Sequence, residues 1–380
     1  MTVLTYIIGL LIFLFVLMAS VALHELGHLS VAKKFGLYVP KYFVGFGKTV
    51  FSRKRGDTEY GVKAIPLGGY VLIEDSRQEE GTPERALLSH VSPMKRIAVF
   101  VAGPVVNLIL GTVIIMITLM AFPVLKPVPV AGAVNSCSVV APNAPAHSKV
   151  CNAGDAGMKV GDRVTAVDGK AITDSESLSK ALLSKESASL TVDRDGESVD
   201  LNTKVTNGMI GITLRNAEVR LSATDSLGVI GNVFVSNVKA ISAIPGKVPG
   251  MVEAIFNIKD PDAEAPSSIV AVGKTYGDTA SSTEIKVDNK ARTILLYSGL
   301  LNIGLGILNL LPIAPLDGGR ILFALIDLVK SGWAKVSRRD YAPMSFKTIG
   351  IITAVTASVI FSFMGLAILS DVLKIIRGQI

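Results

Sequence analysis

Val21-Ala22-Leu23-His24-Glu25-Leu26-Gly27-His28 closes the first apolar stretch of the chain, and its reading governs the rest. Residues 1–24 carry no charged side chain. A hydrocarbon core of about 30 Å takes roughly 20 helical residues at about 1.5 Å each, so this stretch is long enough to cross a bilayer. On a helix, His24 and His28 stand four residues apart on one face, where both imidazoles reach the same metal. Glu25 lies about 100° further round, placed as a general base rather than a ligand. Zinc chemistry uses that division: the ion acidifies a water and a carboxylate accepts its proton. The chain has only four histidines. A chance arrangement of this kind arises in roughly one such chain in a thousand. Ionisable groups at the end of a span are costly unless used.

Composition agrees with a membrane protein. Apolar residues make up 49% and charged residues only 18%, against about 25% charged in soluble domains. Three more stretches lack charge, 97–125, 293–316 and 348–370, which makes four expected transmembrane helices. The first has no basic n-region and exceeds a signal-peptide core, so it is expected to persist in the mature protein. The net charge of +7 gathers in two loops, with 12 Lys and Arg in 31–96 and six in 318–347. The positive-inside rule places both loops in the cytoplasm and 126–292 outside. No basic helix or RNA-binding signature accompanies the charge, so nucleic acid is not an expected partner. Cys137 and Cys151 fall in the external segment, where a disulfide is expected, two free thiols being the alternative.

The expected organisation follows. Span one covers 1–30 and the loop 31–96 reads as β, rich in aromatic and β-branched residues broken by glycines and Pro66. Lying between spans, part of that sheet is expected to dip into the bilayer, packed on protein. Span two covers 97–125. Segment 126–207 has a strand–turn–strand–helix–hairpin order, with turns at Asp168-Gly169 and Asp195-Gly196, the pattern of an extracytoplasmic α+β PDZ-like domain. Segment 208–290 reads as a connector with an amphipathic membrane-surface element or a loose linker. Span three takes 291–320, a cytoplasmic loop 321–346 and span four 347–374.

Two histidines leave a catalytic zinc short of one protein ligand. His147 is expected outside and His90 lies in a polar stretch. Asp317 ends the third span, and spans one and three both run from outside to inside, which brings Asp317 to the face of His24 and His28. Its alternative role is to cap the turn before Gly318-Gly319.

His24–His28 and Asn309–Gly319, separated by a PDZ-like segment, resemble the site-2 protease family of intramembrane metalloproteases in its bacterial, actinobacterial-like form. Phe43-Val44-Gly45-Phe46-Gly47, Pro66-Leu67-Gly68-Gly69-Tyr70 and Ala102-Gly103-Pro104-Val105-Val106-Asn107 are similar to family segments. The resemblance implies Zn2+ held by His24, His28 and Asp317, with Glu25 as acid/base. It implies a membrane-re-entrant sheet in which Gly45 and Gly47 bind substrate, and Asn309 positioning the substrate backbone. It further implies a multi-pass protein of the bacterial inner membrane that cuts anti-sigma-factor-like single-span substrates or remnant signal peptides. Ala314 and Pro315 depart from the family's proline spacing, and Arg320 stands where many members have histidine. The Cys137–Cys151 stretch makes a size filter as reasonable as carboxyl-terminus binding. The competing readings are a zinc-braced membrane adaptor and a metal transporter. The role of Asn107 and the oligomeric state are left open.

Overall fold

The computed structural model describes residues 2–73, 87–135, 152–255, 268–338, 340 and 344–376. The chain divides into two compact units, residues 1–118 with 223–380, and residues 119–222.

The first unit opens with α1 (Thr2–Lys34), a 33-residue helix whose charges wait until its last three turns. Val3, Leu4, Leu11 and Phe15 are exposed on it, as suits a helix whose surroundings are lipid rather than water. The segments β1 (Lys41–Arg55) and β2 (Thr58–Leu72) follow. Tyr42, Phe43 and Val44 each have two partners, Tyr60–Val62 on one side and Val71–Gly69 on the other, while Thr49–Arg55 pairs with Lys63–Thr58. The two long strands thus fold into four paired segments in the spatial order 49–55, 58–63, 41–46, 69–72. Among the described residues, nothing pairs with the outer edge of 69–72. Leu29, Ala32, Val99 and Phe100 form a buried cluster against which Tyr42, Tyr60, Val71 and Ile73 pack. The Tyr42 hydroxyl also donates to the Ala22 carbonyl, 2.7 Å away. The sheet is thereby fixed beside the functional end of α1.

Helix α2 (Pro93–Ala121) starts on a proline, a position that needs no intrahelical N–H. The second unit follows it. Here β3 (Val124–Val134), the one-turn α3 (Asn152–Asp155), β4 (Arg163–Val167), β5 (Lys170–Ala171), α4 (Ser175–Leu182), β6 (Ser187–Arg194), β7 (Glu197–Lys204) and β8 (Ile212–Val219) build a sheet ordered β7-β6-β4-β3-β8, with β5 paired to β4. Inward residues of alternate positions, including Val164, Leu190, Val192 and Leu201, join Leu178 and Leu182 of α4 in one core. Asp174 caps α4 by accepting from the Ser177 N–H, and the Ser177 hydroxyl answers on the Asp174 N–H. The unit reaches past the expected end at 207, because β8 completes the sheet by pairing with β3.

The chain then returns to the first unit with α5 (Ala223–Ile255), α6 (Ile269–Ser281), α7 (Val287–Asn309), α8 (Asp317–Ser337) and α9 (Phe346–Ile376). Among the described residues, five helices, α1, α2, α5, α7 and α9, are long and apolar enough to cross a membrane. The sequence reading counted four charge-free stretches and left 208–290 as a connector; α5 carries Lys239 and Lys247, and Pro245 and Pro249 as well. Both prolines lie inside a continuous helix, which membrane helices tolerate. Span three also differs from expectation, since α7 stops at Asn309 and Asp317 begins a new helix. The expected loop 321–346 is largely that helix. Cys137, Cys151 and His147 lie outside the described residues.

Candidate metal centre

The period of α1 places His24 and His28 on its inner face, 7% and 6% exposed, with their rings edge to face at 83°. His24 Nε2 and His28 Nε2 are 3.2 Å apart. Asp317 Oδ2 completes the group, 3.0 Å from His24 Nε2 and 3.2 Å from His28 Nε2. These three side chains are the group that can hold a metal among the described residues. Zinc bonds of about 2.0–2.2 Å in a tetrahedron separate ligand atoms by roughly 3.3 Å, so this donor set fits the ion. Three protein donors leave the fourth position open, as catalytic rather than structural zinc requires.

Neighbouring elements hold the donors in place. His28 Nδ1 donates to the Val99 carbonyl of α2 at 2.8 Å, which leaves Nε2 with its lone pair towards the centre. Helix α2 approaches so closely at Gly103 that a Cβ there would lie 2.3 Å from His28 Nε2 and 2.9 Å from His24 Cε1. On the other side, the chain doubles back after α7. A Cβ on Gly318 would meet the Leu311 carbonyl at 2.0 Å, so glycine is what lets Asp317 reach the histidines at the start of α8.

The centre opens onto a cavity lined by Glu25, Asn309, Arg320, Asn107 and the sheet segment Gly68–Val71, along with the three donors. Glu25 is half-buried and projects towards Gly69, where a Cβ would stand 3.4 Å from Glu25 Cγ. Asn309 reaches the cavity from the last residue of α7. Gly45 and Gly47 do not line it. They take φ of +89° and +82° and turn the chain between paired segments. His90 is exposed in the short turn Leu88–His90. Sequence reasoning missed the tasks of Gly103 and Arg320, the latter lying over the Phe100 ring at 5.4 Å. The signal for Gly103 was a glycine beside a proline in an otherwise bulky span.

Fold and centre together define a membrane-embedded zinc metallopeptidase. The family model for peptidase family M50 matches residues 12–355. Zinc metalloprotease Rip1 of Mycobacterium tuberculosis is 31% identical, the alignment covering 98% of this chain and 99% of that protein. Its namesake from Mycolicibacterium smegmatis is 29% identical over 97% and 98%. A putative zinc metalloprotease of Fusobacterium nucleatum is 31% identical over 80% and 84%. The chain belongs to peptidase family M50, the site-2 proteases. It is a zinc metalloendopeptidase and a multi-pass membrane protein, and its cofactor is Zn2+.

Proposed function

We propose that the chain is an intramembrane endopeptidase that hydrolyses peptide bonds of single-span membrane proteins. The observation that carries this reading is the shared cavity: the donors His24, His28 and Asp317 stand beside Glu25 and the sheet segment Gly69–Val71, whose outer edge has no partner among the described residues. A transmembrane substrate hides its carbonyls in i→i+4 hydrogen bonds and must unwind to be cut. Its freed backbone groups would be costly in an apolar setting. The edge of Gly69–Val71 supplies matching N–H and C=O groups, so the unwound segment adds as a strand. Asn309 at the end of α7 then orients the backbone from the opposite wall.

When bound by His24, His28 and Asp317, zinc supplies Lewis acidity that polarises the scissile carbonyl and acidifies water. Glu25 takes the proton from the attacking water and returns it to the departing amine nitrogen. The Val99 carbonyl keeps His28 in one tautomer throughout. Helix-breaking residues near the cut lower the cost of unwinding.

Anti-sigma-factor-like proteins already trimmed by another protease, and remnant signal peptides, fit this substrate class. The basic loops support a centre near the cytoplasmic face of the bacterial inner membrane, with unit 119–222 outside as a PDZ-like domain. The order of its elements, with α4 beside the sheet, supports that assignment. A disulfide between Cys137 and Cys151 is proposed for the same compartment, and loss of a mass shift on reduction would remove it.

The test is zinc content together with cleavage of a model single-span substrate in liposomes. Glu25→Gln retains zinc and loses cleavage by about 10²–10⁴-fold; Asp317→Ala loses both. Undiminished cleavage by Glu25→Gln would overturn its role as base.

A further inference from the structure

Asn107 is a buried polar residue of α2 that lines the cavity and that the mechanism leaves unused. It is 1% exposed, and its Oδ1 meets no donor. Burial of an unpaired amide oxygen between apolar helices costs stability, and a leucine or alanine would pack there without that cost. Packing alone therefore does not account for the residue. Its place on α2 is informative. Asn107 is one helical turn beyond Gly103, and residues four apart share a face. That face carries Phe100, Gly103 and Asn107, and Gly103 is the point of closest approach to His24 and His28. Asn107 lines the same cavity as Glu25, Asn309 and the free edge Gly69–Val71.

We infer that Asn107 binds the backbone of the unwound substrate next to the bond that is cut, which rests on the endopeptidase reading above. A carboxamide has the same donor and acceptor as a peptide unit. An unwound segment that pairs one side of its backbone with Gly69–Val71 turns alternate N–H and C=O groups the other way, towards α2 and α7. Asn107 answers one of those peptide groups, as Asn309 answers another. The ligand is thus the peptide unit itself, with no demand on side-chain identity. The unpaired oxygen is retained because substrate completes it.

The experiment uses the full chain in liposomes with the same single-span model substrate. Asn107→Leu matches the carboxamide in size and lacks both hydrogen-bonding groups; Asn107→Ser keeps a shorter donor and acceptor. Zinc content equals wild type in both, and kcat/KM falls roughly 100-fold for leucine and roughly 10-fold for serine, mainly through KM. The unfolding midpoint of Asn107→Leu is not lowered. In a Glu25→Gln background, which holds substrate without cutting it, adding Asn107→Leu weakens substrate retention by a similar factor. Equal KM and equal retention in all variants would overturn the assignment while the endopeptidase reading stands. A loss of cleavage that follows lost zinc or a lowered unfolding midpoint would assign Asn107 to packing and overturn it as well. Absence of cleavage by wild type would strike the endopeptidase reading, and the retention measurement would still decide for or against Asn107.

Discussion

In the unit 119–222, Asp162 is 1% exposed and both of its oxygens are taken by Arg194, at 2.8 and 2.7 Å. In the membrane unit, Asn107 and Asn302 are equally buried, and each keeps a carboxamide oxygen without a donor. His24 Nδ1 and Arg96 Nε are further unpartnered atoms in that unit. No buried side-chain polar atom of the smaller unit is unpaired among the described residues. A domain whose task is to hold its shape completes its buried hydrogen bonds internally. The membrane unit keeps unmatched groups in its interior, and two of them, His24 Nδ1 and the Asn107 carboxamide oxygen, belong to residues that line the cavity at the metal centre, whereas Asn302 and Arg96 do not line it.

The comparison breaks most visibly at Gly103. A valine there cannot avoid the two imidazoles, so Gly103→Val lowers zinc content and reduces cleavage by more than about 100-fold while the helices persist. Metal analysis and circular dichroism of the purified variant check this, and a zinc-replete, active Gly103→Val would refute the close approach of α2.

Asp162→Asn is the counterpart in the smaller unit. It removes charge-assisted hydrogen bonds and costs that unit about 1.5–3 kcal/mol, with zinc content unchanged. Denaturant titration followed by proteolysis within 119–222 reads the change, and a loss of zinc alongside it would dissolve the distinction between the units.

A gentler probe is pH. The Arg194 guanidinium bonded to Asp162 holds its carboxyl below the usual carboxylate range, burial opposing the shift. A depressed folded-state pKa adds stability that is complete above the unfolded value of about 3.9 and fades as pH falls through the folded value. The smaller unit therefore loses stability below about pH 4, and Asp162→Asn flattens that slope. An unchanged slope would show that other carboxylates control the acid response.

The smallest effect belongs to Lys180, which pairs with Glu176 across one turn of α4 at 2.7 Å, both side chains exposed. Lys180→Ala leaves the unfolding midpoint within measurement error, since water screens such pairs.

Local periodicity made half of this centre legible. His24, Glu25 and His28 sit within one turn and half of one helix, so helical geometry alone sorts ligand from base. Asp317 was reached by counting four spans, so that spans one and three shared a direction; the structure brings it to the histidines through the reversal of the chain after α7. Gly103 and Asn107 were not readable as site residues. Their position depends on how α2 packs against α1, a matter of contacts between residues some 75 positions apart. Helix α5 was hidden by Lys239 and Lys247, which interrupt its apolar sequence and kept it out of the charge-free stretches. Helix α8 was hidden by its charges. Asp327 is in fact 1% exposed and paired with Arg96 of α2 at 3.0 Å, so a charge that reads as loop belongs to the interior.

Asp317 stands 289 residues after His28, and that separation has a consequence in time. Chains are made and inserted from the amino terminus. The histidines and Glu25 enter the membrane first, and until Asp317 is made they have no third donor to complete a centre. Until α8 forms, a ribosome-bound chain among other newly inserted helices has no means of cutting them. Hydrolytic competence thus waits on the arrival of α8, and the order in which the polypeptide is written separates insertion of the histidines from assembly of the centre.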